Sequence, residues 1–281
     1  MLRDRVITAL ALVAGFAAAL FWLPPPGWTL FAAALVSLAA WEWAGFARCG
    51  SGARVLYAAA TGLVGVATAH ATGLAQGGAG LLPLALVHGV AVAFWIVGAP
   101  VWLARRPAHP GAALVLAIGW IVLLPTYLAL VQLRNQGPWV LLAFMAIVWI
   151  ADIAAYAFGR RLGRRKLAPS VSPGKTWEGV YGALGAGAVY AAAWIAIFRG
   201  AAPPVVRDLP WSPVWMIVLV EALVILSVIG DLFESALKRQ AGLKDSSSIL
   251  PGHGGMLDRI DALTPVLPAA ALVNMAPSSM V

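Results

Sequence analysis

Long apolar runs fill most of the chain, and short polar or turn-forming breaks separate them. The runs lack the strict alternation of a barrel strand and are about 17–25 residues long, the length of a membrane-crossing helix. Nine such helices are predicted, at about 6–23, 28–46, 55–75, 81–104, 111–133, 138–158, 177–198, 213–237 and 261–278. Breaks such as Pro24-Pro25-Pro26-Gly27, Gln76-Gly77-Gly78, Gln136-Gly137-Pro138 and Pro203-Pro204 are turn signals. Two connections are long and polar, 159–176 and 238–260. The first run follows Arg3 and Arg5 and is too long for the apolar region of a signal peptide, so it is read as an uncleaved helix.

The basic residues orient this pattern. With the N-terminus inside, sixteen of the nineteen Lys and Arg residues fall on inner segments, and only Arg134, Arg199 and Arg207 fall outside. The positive-inside rule then predicts a cytoplasmic N-terminus, an outer C-terminus and both long loops in the cytoplasm. Composition agrees: 62% of the 281 residues are hydrophobic and 11% are charged, and mean hydropathy is +0.88. Ordinary soluble domains carry about 25% charged residues. A soluble enzyme, a disordered chain and a nucleic-acid-binding domain are therefore excluded. The net charge of +8 reads as topology and contact with anionic lipid. The single cysteine, Cys49, reads as a bland loop thiol, and the thirteen Trp residues read mostly as span and interface anchors.

Carboxylates inside spans are costly and mark candidate function. Of eleven, Asp152, Glu178, Asp231, Asp258 and Asp261 gather at the cytoplasmic side. Asp152 lies roughly 12 Å along a helix from Arg160, and Asp231 roughly 10 Å from Lys238. Asp231, Glu234 and Lys238 share one helix face; Asp152, Tyr156 and Arg160 form another stripe; Asp258 and Asp261 project together if their helix has begun. Glu42 and Glu221 read as partners in inter-helix hydrogen bonds. Carboxylates beside Lys and Arg suit a magnesium-nucleotide site, in which hard oxygens hold the ion and bases neutralise polyphosphate. In the second loop, Gly252-His253-Gly254-Gly255 can bring backbone N–H groups to phosphate oxygens and leads into a helix N-terminus that attracts anions. Asp258 and Asp261 are anions at that same start, a conflict that a bridging cation would resolve. The first loop, 159–176, carries six basic side chains with Ser and Gly donors, which suits a phosphate-rich ligand or a lipid headgroup.

These loops and their flanking helices resemble the phosphatidate cytidylyltransferase (CDP-diacylglycerol synthase) family. The resemblance rests on Ser235 to Arg239, Lys244-Asp245, Pro251-Gly252-His253-Gly254-Gly255 and Asp258-Arg259-Ile260-Asp261, in that spacing. Upstream, Asp152 to Arg160, Ser172 to Gly179 and Gly230 to Glu234 are also similar, so the motifs cover about 152–261. The resemblance implies an all-α polytopic membrane protein of the bacterial cytoplasmic membrane that transfers CMP from CTP to phosphatidic acid. It further implies a homodimer, Mg²⁺ with a potassium ion beside it, and no nucleic-acid partner. On matching positions Asp231, Asp258 and Asp261 are the expected metal-site acids, catalytic together with Lys238 and Lys244. Arg239, Asp245, His253, Gly254, Gly255, Arg259, Ser172, Lys175, Asp152, Arg160 and Glu178 are the expected substrate-binding residues. The chain is accordingly divided into an N-terminal unit of five spans, 1–135, and a catalytic unit, 136–281. Competing readings are an ion-coupled transporter, a scaffold without chemistry, and a CTP-dependent enzyme acting on an isoprenoid lipid.

Overall fold

The computed structural model describes residues 2–77, 80–107, 110–198, 213–250 and 252–275. Helices α1 (Leu2–Trp22), α2 (Pro25–Phe46), α3 (Ser51–Ala71), α4 (Leu81–Ala93), α5 (Ala99–Arg105), α6 (Ala112–Gln136) and α7 (Pro138–Leu162) come first. An antiparallel hairpin follows, β1 (Lys166–Ala168) and β2 (Ser172–Thr176). The chain continues through α8 (Trp177–Phe198), α9 (Pro213–Ala241), α10 (Leu257–Ile260) and α11 (Leu263–Val273). Prolines open α2 and α7, where a missing N–H costs nothing. A π turn at Phe94–Gly98 joins α4 to α5. Pro100 follows two positions after it, and the ring and absent N–H of that proline disturb the regular ladder.

Among the described residues seven helical stretches are long and apolar enough to cross a membrane, and they coincide with the predicted second to eighth spans. The first predicted span lies in α1, whose apolar part, Ile7–Trp22, is shorter. At the predicted ninth, α11 has 11 residues, about 16 Å of rise against a hydrocarbon core of about 30 Å; positions 276–278 lie outside the described residues. Leu263 through Ala271 are all buried, and α11 packs on α4, α6 and α9. A helix apolar on every side satisfies a protein interior as well as it does lipid, so hydropathy alone gave no warning of its short length. The long loop 159–176 also differs from expectation, because α7 runs on to Leu162 and the β-hairpin occupies the rest.

Several tryptophans are core residues, not interface anchors. Trp28, Trp43 and Trp95 are fully buried. Trp28 Nε1 donates to the Leu130 carbonyl at 3.1 Å and Trp43 Nε1 to that of Val115 at 2.7 Å, tying α2 to α6. Phe233 on α9 stands among the rings of Trp43, Phe94, Trp95 and Trp102, with centroids 5.4–6.4 Å away. It sits on the side of α9 opposite Asp231, so this aromatic cluster fixes the rotation that presents the polar face. Phe233→Ala is expected to cost about 3–5 kcal/mol, measured as a lowered unfolding midpoint in detergent.

Candidate active site

The polar face of α9 begins at Asp231, which forms an ion pair with Lys175 on β2. One turn later Glu234 pairs with Lys238. The Lys238 ammonium also donates to Asp258 Oδ1 at 2.6 Å, so one cation stands between two carboxylates. All three side chains are nearly inaccessible to water. The loop before α10 is thereby fastened to α9 by charge. Asp258 is further held by the Gly255 N–H at 2.8 Å and by the N–H and hydroxyl of Ser246, each at 3.0 Å. Burial works against its charge, but Lys238 and these N–H donors outweigh it and hold the carboxyl at about 2. Asp258 is therefore ionised at neutral pH. Because its folded pKa is depressed, it contributes stability above its ordinary value of 3.8 that is lost as the pH falls toward 2.

Two cavities flank this centre. The first, about 510 Å³, lies among α7, the hairpin, α8 and α9 and brings together Asp152, Arg160, Ser172, Lys175 and Asp231. Tyr156 lines it too, completing the predicted Asp152–Tyr156–Arg160 stripe, and its hydroxyl accepts from Arg160 Nη1 at 3.0 Å. Lys175 pairs with Asp231, and Asp152 lies within electrostatic range of both. The second cavity, about 580 Å³, is built by the 238–260 loop and brings together Lys244, Asp245, His253, Gly254 and Arg259. The hairpin and the loop are joined by Arg239, which donates to the Val171 carbonyl at 3.4 Å and to that of Leu243 at 3.1 Å.

Other expected residues play different parts. Glu178 lines neither cavity. Its carboxylate accepts the Arg164 and Arg165 N–H groups at 3.0 and 3.2 Å and so closes the turn between α7 and the hairpin. The Gly-rich turn also departs from the expected phosphate cradle. Gly255 N–H points at Asp258, and His253 N–H donates to the Leu250 carbonyl at 2.9 Å. The Met256 and Leu257 N–H groups donate to Glu42 at 2.9 and 2.6 Å. The start of α10 therefore satisfies these donors with anions of its own chain, Glu42 and Asp258.

Glu42 has a larger part than the inter-helix hydrogen bonds expected of it. It lies on α2, fully buried, and also accepts from the hydroxyls of Ser246 at 3.2 Å and Ser247 at 2.6 Å. The available signal was its position near the inner end of an out-to-in span, level with the loop.

Among the described residues no three His, Cys, Asp or Glu side chains converge as a metal site, so the expected trio is not a preformed cage. Asp258 is turned to Lys238 and the loop donors. Asp231 and Asp261 remain within electrostatic range of each other. Asp261 lies against α9 at Gly230, where an added Cβ would come within 2.7 Å of the Asp261 carbonyl oxygen. Magnesium commonly uses only one or two carboxylates plus substrate phosphates and water, and this pair of hard oxygen donors fits that pattern.

The chain is similar to proteins named phosphatidate cytidylyltransferase from several bacteria. The Pseudomonas aeruginosa protein is 43% identical over 280 residues, 96% of each chain. That of Haemophilus influenzae is 36% identical, covering 95% of this chain and 96% of its own. The Brucella suis protein is 36% identical, covering 98% and 92%. The sequence model of the cytidylyltransferase family matches residues 3–276, which takes in α1 to α11 and both cavities, and the chain belongs to that family.

Proposed function

We propose that the chain transfers CMP from CTP to phosphatidic acid, giving CDP-diacylglycerol and pyrophosphate. Similarity to phosphatidate cytidylyltransferases over nearly the whole chain carries this reading. A phosphate monoester oxygen of the lipid attacks the α-phosphorus of CTP; the bond from that phosphorus to the oxygen bridging the β-phosphate breaks, and pyrophosphate leaves. The monoester is already largely dianionic, since its second pKa is about 6, so no strong base is required. The problem is to bring two polyanions together in line.

The residues divide that task. Arg160, Ser172 and Lys175, on the wall of the first cavity, suit the lipid headgroup. Lys244, His253 and Arg259, around the second, suit the nucleotide phosphates. Lys238, buried between Glu234 and Asp258, ties the loop of the second cavity to α9 and so sets the position of both. Asp231 and Asp261 would hold Mg²⁺, while Asp258, paired with Lys238, holds the loop beside them. A bound magnesium ion supplies charge that offsets the repulsion between the two substrates. On the same reading the protein is an integral protein of the bacterial inner membrane, the site opens to the cytoplasm where most Lys and Arg residues fall, and the enzyme works as a homodimer.

The test is to incubate purified protein with CTP labelled at the α-phosphorus and with phosphatidic acid. Label should pass into the lipid phase in a Mg²⁺-dependent manner. Transfer to an isoprenoid phosphate but not to phosphatidic acid would overturn the acceptor assignment. Undiminished turnover in excess chelator would overturn the metal assignment.

A further inference from the structure

We infer that Glu42, on a helix far from the motif loops in sequence, is a positioning residue that sets the catalytic loop in its working shape. This rests on the cytidylyl-transfer reading for what the loop does, and on geometry alone for how it is held.

Each oxygen of the Glu42 carboxylate takes one backbone N–H and one hydroxyl. Oε1 accepts from Met256 N–H at 2.9 Å and the Ser247 hydroxyl at 2.6 Å. Oε2 accepts from Leu257 N–H at 2.6 Å and the Ser246 hydroxyl at 3.2 Å. These donors come from both ends of the loop, 246–247 and 256–257, so the carboxylate pinches it closed. Hydrogen bonds to a charged acceptor are the stronger kind, and Glu42 is fully buried. The clamp then passes directly to Asp258. Ser246 donates its N–H to Asp258 Oδ2 at 3.0 Å, and its hydroxyl lies within reach of both Asp258 and Glu42. A hydroxyl has one proton, so Ser246 serves one carboxylate at a time and couples their positions. Gly255 belongs to the same device. A Cβ there would collide with the Ser246 hydroxyl and stand 2.5 Å from Glu42 Oε1. The second glycine of the Gly254-Gly255 pair therefore has a steric partner more than two hundred positions earlier in the chain.

The clamp acts on Asp258 and Lys238 through the backbone, so its loss should misplace their two charges without removing either. A shift of about 1 Å at reacting groups costs on the order of 10²-fold in rate. Glu42→Gln keeps the shape but turns an NH₂ toward one pair of donors. A serine hydroxyl can reverse its role; a backbone N–H cannot. Gly255→Ala attacks the same clamp from the loop side and leaves the carboxylate in place. Gln132→Leu is the control: Gln132 is also buried, bonds His88 and the Ala271 carbonyl, and among the described residues makes no hydrogen bond to the loop.

The experiment measures kcat and KM for CTP, and amide hydrogen exchange over 246–258, in detergent well below each unfolding midpoint. Glu42→Gln and Gly255→Ala should each lower kcat about 10²-fold, with a smaller change in KM, and accelerate exchange at Met256 and Leu257. Gln132→Leu should do neither. The inference is overturned if Glu42→Gln keeps kcat within twofold of wild type, loses no more than the control, or leaves exchange in the loop unchanged. If the wild-type protein does not transfer CMP at all, the proposed function fails, and the exchange measurement still decides whether Glu42 holds the loop.

Discussion

Asp261→Ala should reduce CTP-dependent formation of lipid product about 10²- to 10³-fold, on the scale of losing one preorganised electrostatic group in an active site. The side chain lies where α10 gives way to α11, with its carbonyl packed against α9 at Gly230. It accepts the Ala262 N–H at 2.8 Å and lies within electrostatic range of Asp231, Lys175 and Lys238. Among the described residues no ion pair runs through it, so the variant should insert and unfold much as wild type does. A lost rate with retained stability separates chemistry from architecture. Asp231→Ala should lose rate as well, but it also releases Lys175 and with it the hairpin. Wild-type-like turnover in Asp261→Ala would remove this carboxylate from the metal pair.

Lys238→Ala should show the opposite balance, with stability falling along with activity. The ammonium is the cation shared by Glu234 and Asp258, whose side chains are 3% and 6% exposed. Removing one partner of a buried ion pair costs about 3–5 kcal/mol, because a charge is left unpaired in a poorly polarisable interior. Here two are left. The expected outcome is a large drop in the unfolding midpoint and no measurable CMP transfer. Lys238→Met combined with Glu234→Gln removes one positive and one negative charge and should recover part of the stability without recovering the rate. If the single variant unfolds like wild type, the shared-cation arrangement is wrong.

The sequence was a good guide wherever the chemistry is local. Seven spans were readable from run length and turn residues, and the Asp152–Tyr156–Arg160 stripe from helical periodicity. Of the residues that the motifs singled out, Ser172, Lys175, Lys244, Asp245, His253, Gly254 and Arg259 line the two cavities. What stayed hidden depends on contacts between distant segments. Nothing near Glu42 in sequence shows that four donors from another loop converge on it. Likewise, Asp258 and Asp261 at i and i+3 look like a joint metal pair until Lys238 claims the first. The 166–176 hairpin was hidden by basic and Pro-Gly residues that read as loop.

One consequence follows from the shortness of α11. A segment reaching only halfway through the bilayer, enclosed by α4, α6 and α9, has little to gain from partitioning into lipid by itself. It must enter a slot that its predecessors have already built. Because Asp258 and Asp261 are carried into place on the leading edge of that insertion, biosynthesis should deliver an inert bundle first, and competence should arrive only when the tail seats.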